Sequence, residues 1–170
     1  MVAHEFHHGY RNRIAIDLTR DEAILWVIQQ VALEGTADLI NVPAWIDKPV
    51  ETLDASDRLF VEWYHKSAEV IRTMDRLFAQ MQDGAANRQD LGTELRKAVP
   101  RSGHPTGYFM ARTIVDTLGK DAVIRTVSNP FAFFRTYNEA AKKKGSGAPV
   151  FSEKAMQLLR SLEKRYQVES

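Results

Sequence analysis

Apolar residues recur at three- and four-residue spacing along most of this chain, the period of a helix with one buried face. A first helix over about residues 2–15 runs through a histidine-rich stretch. Asp17-Leu18-Thr19 offers caps for a second helix over about 20–41. Its apolar positions are Ile24, Leu25, Ile28, Val31, Ala32, Leu39 and Ile40. A proline-containing connection, Asn41 to Leu53, leads to Asp54 or Ser56, either of which can cap a long third helix over about 55–82. That helix carries the stripe Leu59, Phe60, Trp63, Ile71, Met74, Leu77, Phe78 and Met81. Shorter helices follow over about 87–98, 106–118, 120–127 and 130–143. The last of these ends in Lys142-Lys143-Lys144, which suits the negative end of a helix dipole. Beyond the flexible Gly145-Ser146-Gly147 joint, a final amphipathic helix covers about 152–166. No segment alternates as a strand would, and no stretch repeats. The expected fold is all-α, a multi-helix bundle in a single domain, 1–170. Within it, 1–41 is a metal-binding helix pair, 42–144 the helical body and 145–170 the C-terminal helix.

Composition narrows the chemistry. Lys and Arg number 23 against 22 Asp and Glu, a net charge of +1, so a general basic field for nucleic acid is disfavoured. No apolar run approaches the roughly 18 residues that suggest a membrane span. There is no cysteine, which removes thiol nucleophiles and thiolate metal sites together. Any metal must be held by histidine and carboxylate.

Those residue types cluster at His4-Glu5-Phe6-His7-His8. His4 and His8 stand four apart, so one helix face presents both imidazoles to one ion. Glu5 lies about 100° around the helix from His4, beside the metal yet free of it, where a general base for a zinc-bound water belongs. His7, three residues from His4, is a competing ligand to His8. Zinc needs a third protein ligand and an open fourth position. Glu34 in Leu33-Glu34-Gly35-Thr36-Ala37-Asp38 can supply it from an antiparallel helix, and Asp38, one turn on, can accept the outer N–H of a liganding imidazole. Gly35 would let the two helices approach closely. The plainer alternative makes Glu34 and Asp38 surface acids, but their neighbours Val31, Ala32, Leu33, Ala37, Leu39 and Ile40 are apolar, and buried acids need partners.

HEFHH followed by EGTAD resembles the gluzincin metallopeptidases, in which two histidines and a downstream glutamate hold zinc. The matching positions are His4, Glu5, His8, Glu34 and Asp38. With GHPTGYFMA and NPFAFFRTYNEAAK, the chain looks like an uncharacterised bacterial family of zinc-dependent peptidases, over nearly its whole length. The resemblance implies the helical catalytic subdomain of a zincin, a Zn²⁺ cofactor and a peptide or protein substrate. It also implies a β-sheet ahead of the active-site helix. Here the motif starts at residue 4, so an N-terminal part is expected to be missing.

Peptide hydrolysis also needs a donor for the developing oxyanion. His104, in the Pro/Gly-rich loop Pro100 to Gly107, is the first candidate and Tyr108 the second; a helix-entry neighbour and a core residue are their structural alternatives. Phe131, Phe133, Phe134 and Tyr137 read as core, and His65 as packing or surface. The expected function is zinc-dependent peptide hydrolysis with Glu5 as base. The alternative is a non-catalytic helical module, derived from a truncated peptidase, that binds metal or a partner.

Overall fold

The computed structural model describes residues 22–84 and 87–166, which are largely helical and contain no strand. The helix expected over 2–15, with His4, Glu5 and His8, lies outside the described residues. The eight helices described are α1 (Glu22–Asp38), α2 (Ala55–His65), α3 (Ser67–Asp83), α4 (Arg88–Ala98), α5 (His104–Leu118), α6 (Lys120–Ile124), α7 (Pro130–Lys144) and α8 (Glu153–Tyr166). The all-α expectation holds.

α1 is the centre of the bundle. Ile24, Leu25, Val27, Ile28, Val31 and Ala32 are buried all round it, as expected of a helix enclosed by neighbours rather than lying on the surface. It lies most extensively against α5, with α4, α7 and the turn Arg101–Gly103 completing its surroundings. α5 also contacts α7, and α3 carries α8 on its apolar face. One core joins these elements, with Phe78, Phe134 and Phe151 in mutual ring contact at 5.6–6.2 Å between centroids. Phe131, Phe133, Phe134 and Tyr137 are core, as their spacing suggests. The segment after the Gly145-Ser146-Gly147 joint is pinned by hydrogen bonds. Pro149 O accepts from Tyr137 OH, Asn138 Oδ1 from the Phe151 N–H, and Asp75 Oδ1 from the Ser152 N–H.

Two local expectations change. The third helix is two helices, α2 and α3, meeting at Lys66. The reason is a change of face. α2 buries Phe60 and Val61 in a smaller aromatic cluster with Val42, Ile46, Leu53 and Tyr108, whereas α3 buries Val70, Ile71, Met74, Leu77 and Phe78 in the main core. One straight helix cannot point the two stripes at two cores. Ser67, buried at the junction, turns its hydroxyl to the carbonyls of Trp63 and Pro105. Of the two proposed caps, Asp54 is the one whose side chain accepts from the Asp57 N–H, at 2.8 Å. The second change is exposure: Ile40, beyond the end of α1 at Asp38, and Leu59, on a face of α2 that no other described element covers, both face solvent.

Candidate functional site

Glu34 and Asp38 occupy successive turns of α1 and point the same way, as their four-residue spacing requires. Both are buried, 7% and 5% exposed. Like charges at this spacing repel, and removing carboxylates from water is costly, so the pair is stable only against positive charge or donors.

His104 faces both. Its Nδ1 lies 2.9 Å from Asp38 Oδ2 and its Nε2 3.2 Å from Glu34 Oε2. A carboxylate can only accept, so Nδ1 carries the proton and donates it to Asp38. Burial pulls the imidazole pKa down, but the Asp38 hydrogen bond and the charges of Asp38 and Glu34 outweigh it against the opposing Arg101, and the value stands above that of an ordinary histidine. The ring keeps about a third of its surface exposed, so it is open to solvent while the two acids behind it are not.

Backbone geometry delivers this arrangement. Arg101, Ser102 and Gly103 have φ of 48°, 53° and 92°, three left-handed residues in succession. The first two are strained for L-residues, and the turn swings the chain so that α5 opens at His104. A side chain at Gly103 would meet the backbone of Val31 at 3.0 Å, so the turn lies directly on α1. One turn farther on, Gly35 meets Gly107. A Cβ on Gly35 would come within 2.2 Å of the Gly107 carbonyl carbon, and one on Gly107 within 2.2 Å of Val31 O. Gly35 thus makes a close helix approach, to α5; the approach expected between α1 and the helix over 2–15 lies outside the described residues. The crossing brings the N-terminal, positive end of α5 up to the two carboxylates. Gly107 escaped notice in the sequence, although Gly103 and Gly107 stand one turn apart on the face that meets α1.

Tyr108 lies one turn beyond His104 but is only 1% exposed. Its ring meets Phe60 edge-on at 6.0 Å and Tyr64 at a tilt at 5.6 Å between centroids. Burial pushes its hydroxyl up to about 12, with the Arg112 guanidinium, which bonds it, acting the other way. Arg112 also holds Asp47 at 3.4 Å and thereby ties the connection after α1 to α5. This arginine was not singled out by sequence either; its place eight residues after His104, on the same face, was the available signal.

The donor set suits a metal only in part. Among the described residues, no group of three or more histidine, aspartate or glutamate side chains is placed to hold an ion. Of the five histidines, His65 is exposed on α2 and His104 is engaged with the acids; His4, His7 and His8 lie outside the described residues. A buried carboxylate such as Glu34 is the kind of oxygen ligand that zinc accepts beside imidazoles. None of the described helices is long and apolar enough to cross a membrane.

No curated protein and no solved structure matches the chain. The model of one family does, over residues 1–146, so that the match takes in the His4–His8 stretch, the buried acids of α1 and the His104 turn. By that coverage the chain belongs to the family described as "Putative zinc dependent peptidase" (DUF5700).

Proposed function

We propose that this protein is a zinc metallopeptidase of gluzincin type, with zinc held by His4, His8 and Glu34 and Glu5 as the general base. The observation that carries the reading is the convergence of Glu34, Asp38 and His104 on one buried face, where two carboxylates lie within 3.2 Å of a single imidazole. Ordinary surface acids do not bury in this way.

When bound, zinc supplies a Lewis acid and lowers the pKa of water into the neutral range. Glu5 then receives the attacking water's proton on its carboxylate and delivers it to the leaving amine. Glu34 offers a carboxylate oxygen from a helix that cannot shift, because Gly35 beneath it is locked against Gly107. Asp38 fixes His104 through Nδ1, which leaves Nε2 as the nitrogen that faces the reacting side. Of the two oxyanion candidates, His104 has solvent access, while Tyr108 is sealed in the aromatic cluster, so the oxyanion contact falls to His104.

The test uses the full chain. Elemental analysis should find one zinc per chain, lost in Glu34→Ala, and cleavage of a peptide library should stop on adding a chelator. Glu5→Gln should retain the metal and lose cleavage. Loss of zinc from Glu5→Gln, or full zinc in Glu34→Ala, would remove the assignment. Stoichiometric zinc with no cleavage in any peptide would leave a metal-binding module rather than an enzyme.

A further inference from the structure

Glu34 and Asp38 could be balanced by any nearby cation, yet among the described residues one rigid ring meets both, facing each through a different nitrogen. A flexible lysine would supply the charge without fixing either carboxylate. An imidazole clamped through Nδ1 at 2.9 Å cannot rotate without breaking that bond, so the position of its Nε2 is set by Asp38. His104 itself is the first residue of α5, fixed by the left-handed Arg101–Gly103 turn on one side and the Gly35–Gly107 contact on the other. Two backbone constraints and one hydrogen bond thus converge on a nitrogen 3.2 Å from Glu34 Oε2.

From this geometry we infer that His104, oriented by Asp38, is a positioning residue that holds the Glu34 carboxylate in the direction from which it binds metal. The inference rests on the reading of Glu34 as a zinc ligand and adds a role that precedes substrate. In the resting protein, before any substrate arrives, Nε2 faces Glu34 while the ring stays clamped to Asp38. A carboxylate gripped through one oxygen presents its other oxygen in a fixed direction, so the loss of rotational freedom is met during folding instead of on metal binding. Asp38 accordingly acts on the metal through His104 and Glu34. A merely structural ion pair would give a different result: removing its cation would lower stability and leave the metal affinity of the folded fraction unchanged.

The experiment measures zinc affinity without substrate, by competition with a chromophoric chelator, and the visible spectrum of the Co²⁺-loaded full chain. His104→Ala should bind zinc about 10–100-fold more weakly, the range typical for loss of a group that orients a ligand, and should shift the Co²⁺ bands. His104→Gln, whose amide can offer Glu34 a hydrogen bond in place of the ion pair, should recover part of that loss. Asp38→Asn should fall between wild type and His104→Ala. If His104→Ala fails to fold, the other two variants decide the matter by the same readouts. Affinities within twofold of wild type in the folded His104 and Asp38 variants, with Glu34→Ala weakened, would overturn the inference and leave the proposed function standing. An unweakened Glu34→Ala would end both.

Discussion

Replacing Gly35 by alanine tests whether the α1–α5 crossing is set by backbone contact. The new Cβ would lie 2.2, 2.3 and 2.6 Å from the carbonyl carbon, oxygen and Cα of Gly107. Carbon atoms in ordinary contact sit about 3.5–4.0 Å apart, so the helices must separate by roughly 1 Å or more. All three atoms belong to backbone, and no side chain can rotate aside. Overpacking of this kind costs about 3 kcal/mol, while alanine's better helix propensity returns about 1 kcal/mol, for a net loss of about 2 kcal/mol. In a chain of this size that corresponds to a fall in Tm of roughly 4–8 °C. The site should respond as well, since Asp38 and His104 each lie three residues from the contact and their 2.9 Å hydrogen bond cannot follow a separation of that size. Urea unfolding followed by circular dichroism, with NMR of the His104 ring nitrogens, gives both readouts. Gly92→Ala is the contrast: its Cβ would meet the Cβ of Ala23 at 3.1 Å and the side chain of Ile24 at 3.5 Å, and should stay within about 1 kcal/mol of wild type. An unchanged midpoint and unchanged His104 resonances in Gly35→Ala would refute the backbone account of the crossing.

Other expectations follow from the same contacts. Tyr108, raised from 10.0 to about 12 chiefly by burial, is protonated when folded and ionises more readily when unfolded. Its contribution is whole below the unfolded value and is lost as pH rises through the folded one, so stability should decline between 10 and about 12. Tyr108→Phe should show a shallower alkaline decline in urea midpoint; an identical slope would speak against Tyr108 as a source of it. Asn129→Ala removes the cap of α7, where Oδ1 accepts from the Ala132 N–H at 3.0 Å, and also the 2.8 Å donation to Glu163. The expected loss is about 1–2 kcal/mol by chemical denaturation, and no change would mean that the α7 terminus is held by packing alone.

Much of the fold was legible because helical period and burial coincide. Ile24, Leu25, Ile28, Val31 and Ala32 mark α1, and Phe131, Phe133, Phe134 and Tyr137 mark α7, from spacing alone. The break at Lys66 was not legible, since a stripe that shifts from one core to another still reads as one periodic run. In the site, Glu34 and Asp38 stood out as acids in an apolar helix, and His104 as a histidine in a Pro/Gly-rich loop. Their meeting depends on a contact between residues 72 positions apart, Gly35 and Gly107, and no local pattern encodes such a distance. The expectation placed Asp38 beside a liganding imidazole of residues 4–8, which lie outside the described residues; within them its Oδ2 lies 2.9 Å from His104 Nδ1.

The glycine crossing also bears on how the site behaves as the molecule warms. Side chains loosen first, by hopping between rotamers, and a contact made of side chains widens with them. Gly35 and Gly107 have no rotamers to populate, so their separation responds only to motion of whole helices. The Asp38–His104 register should therefore hold until α1 and α5 part, and be lost with them in one step. In amide exchange, Val31, Gly35 and Gly107 would then open together, with the free energy of the bundle rather than that of a fraying helix end.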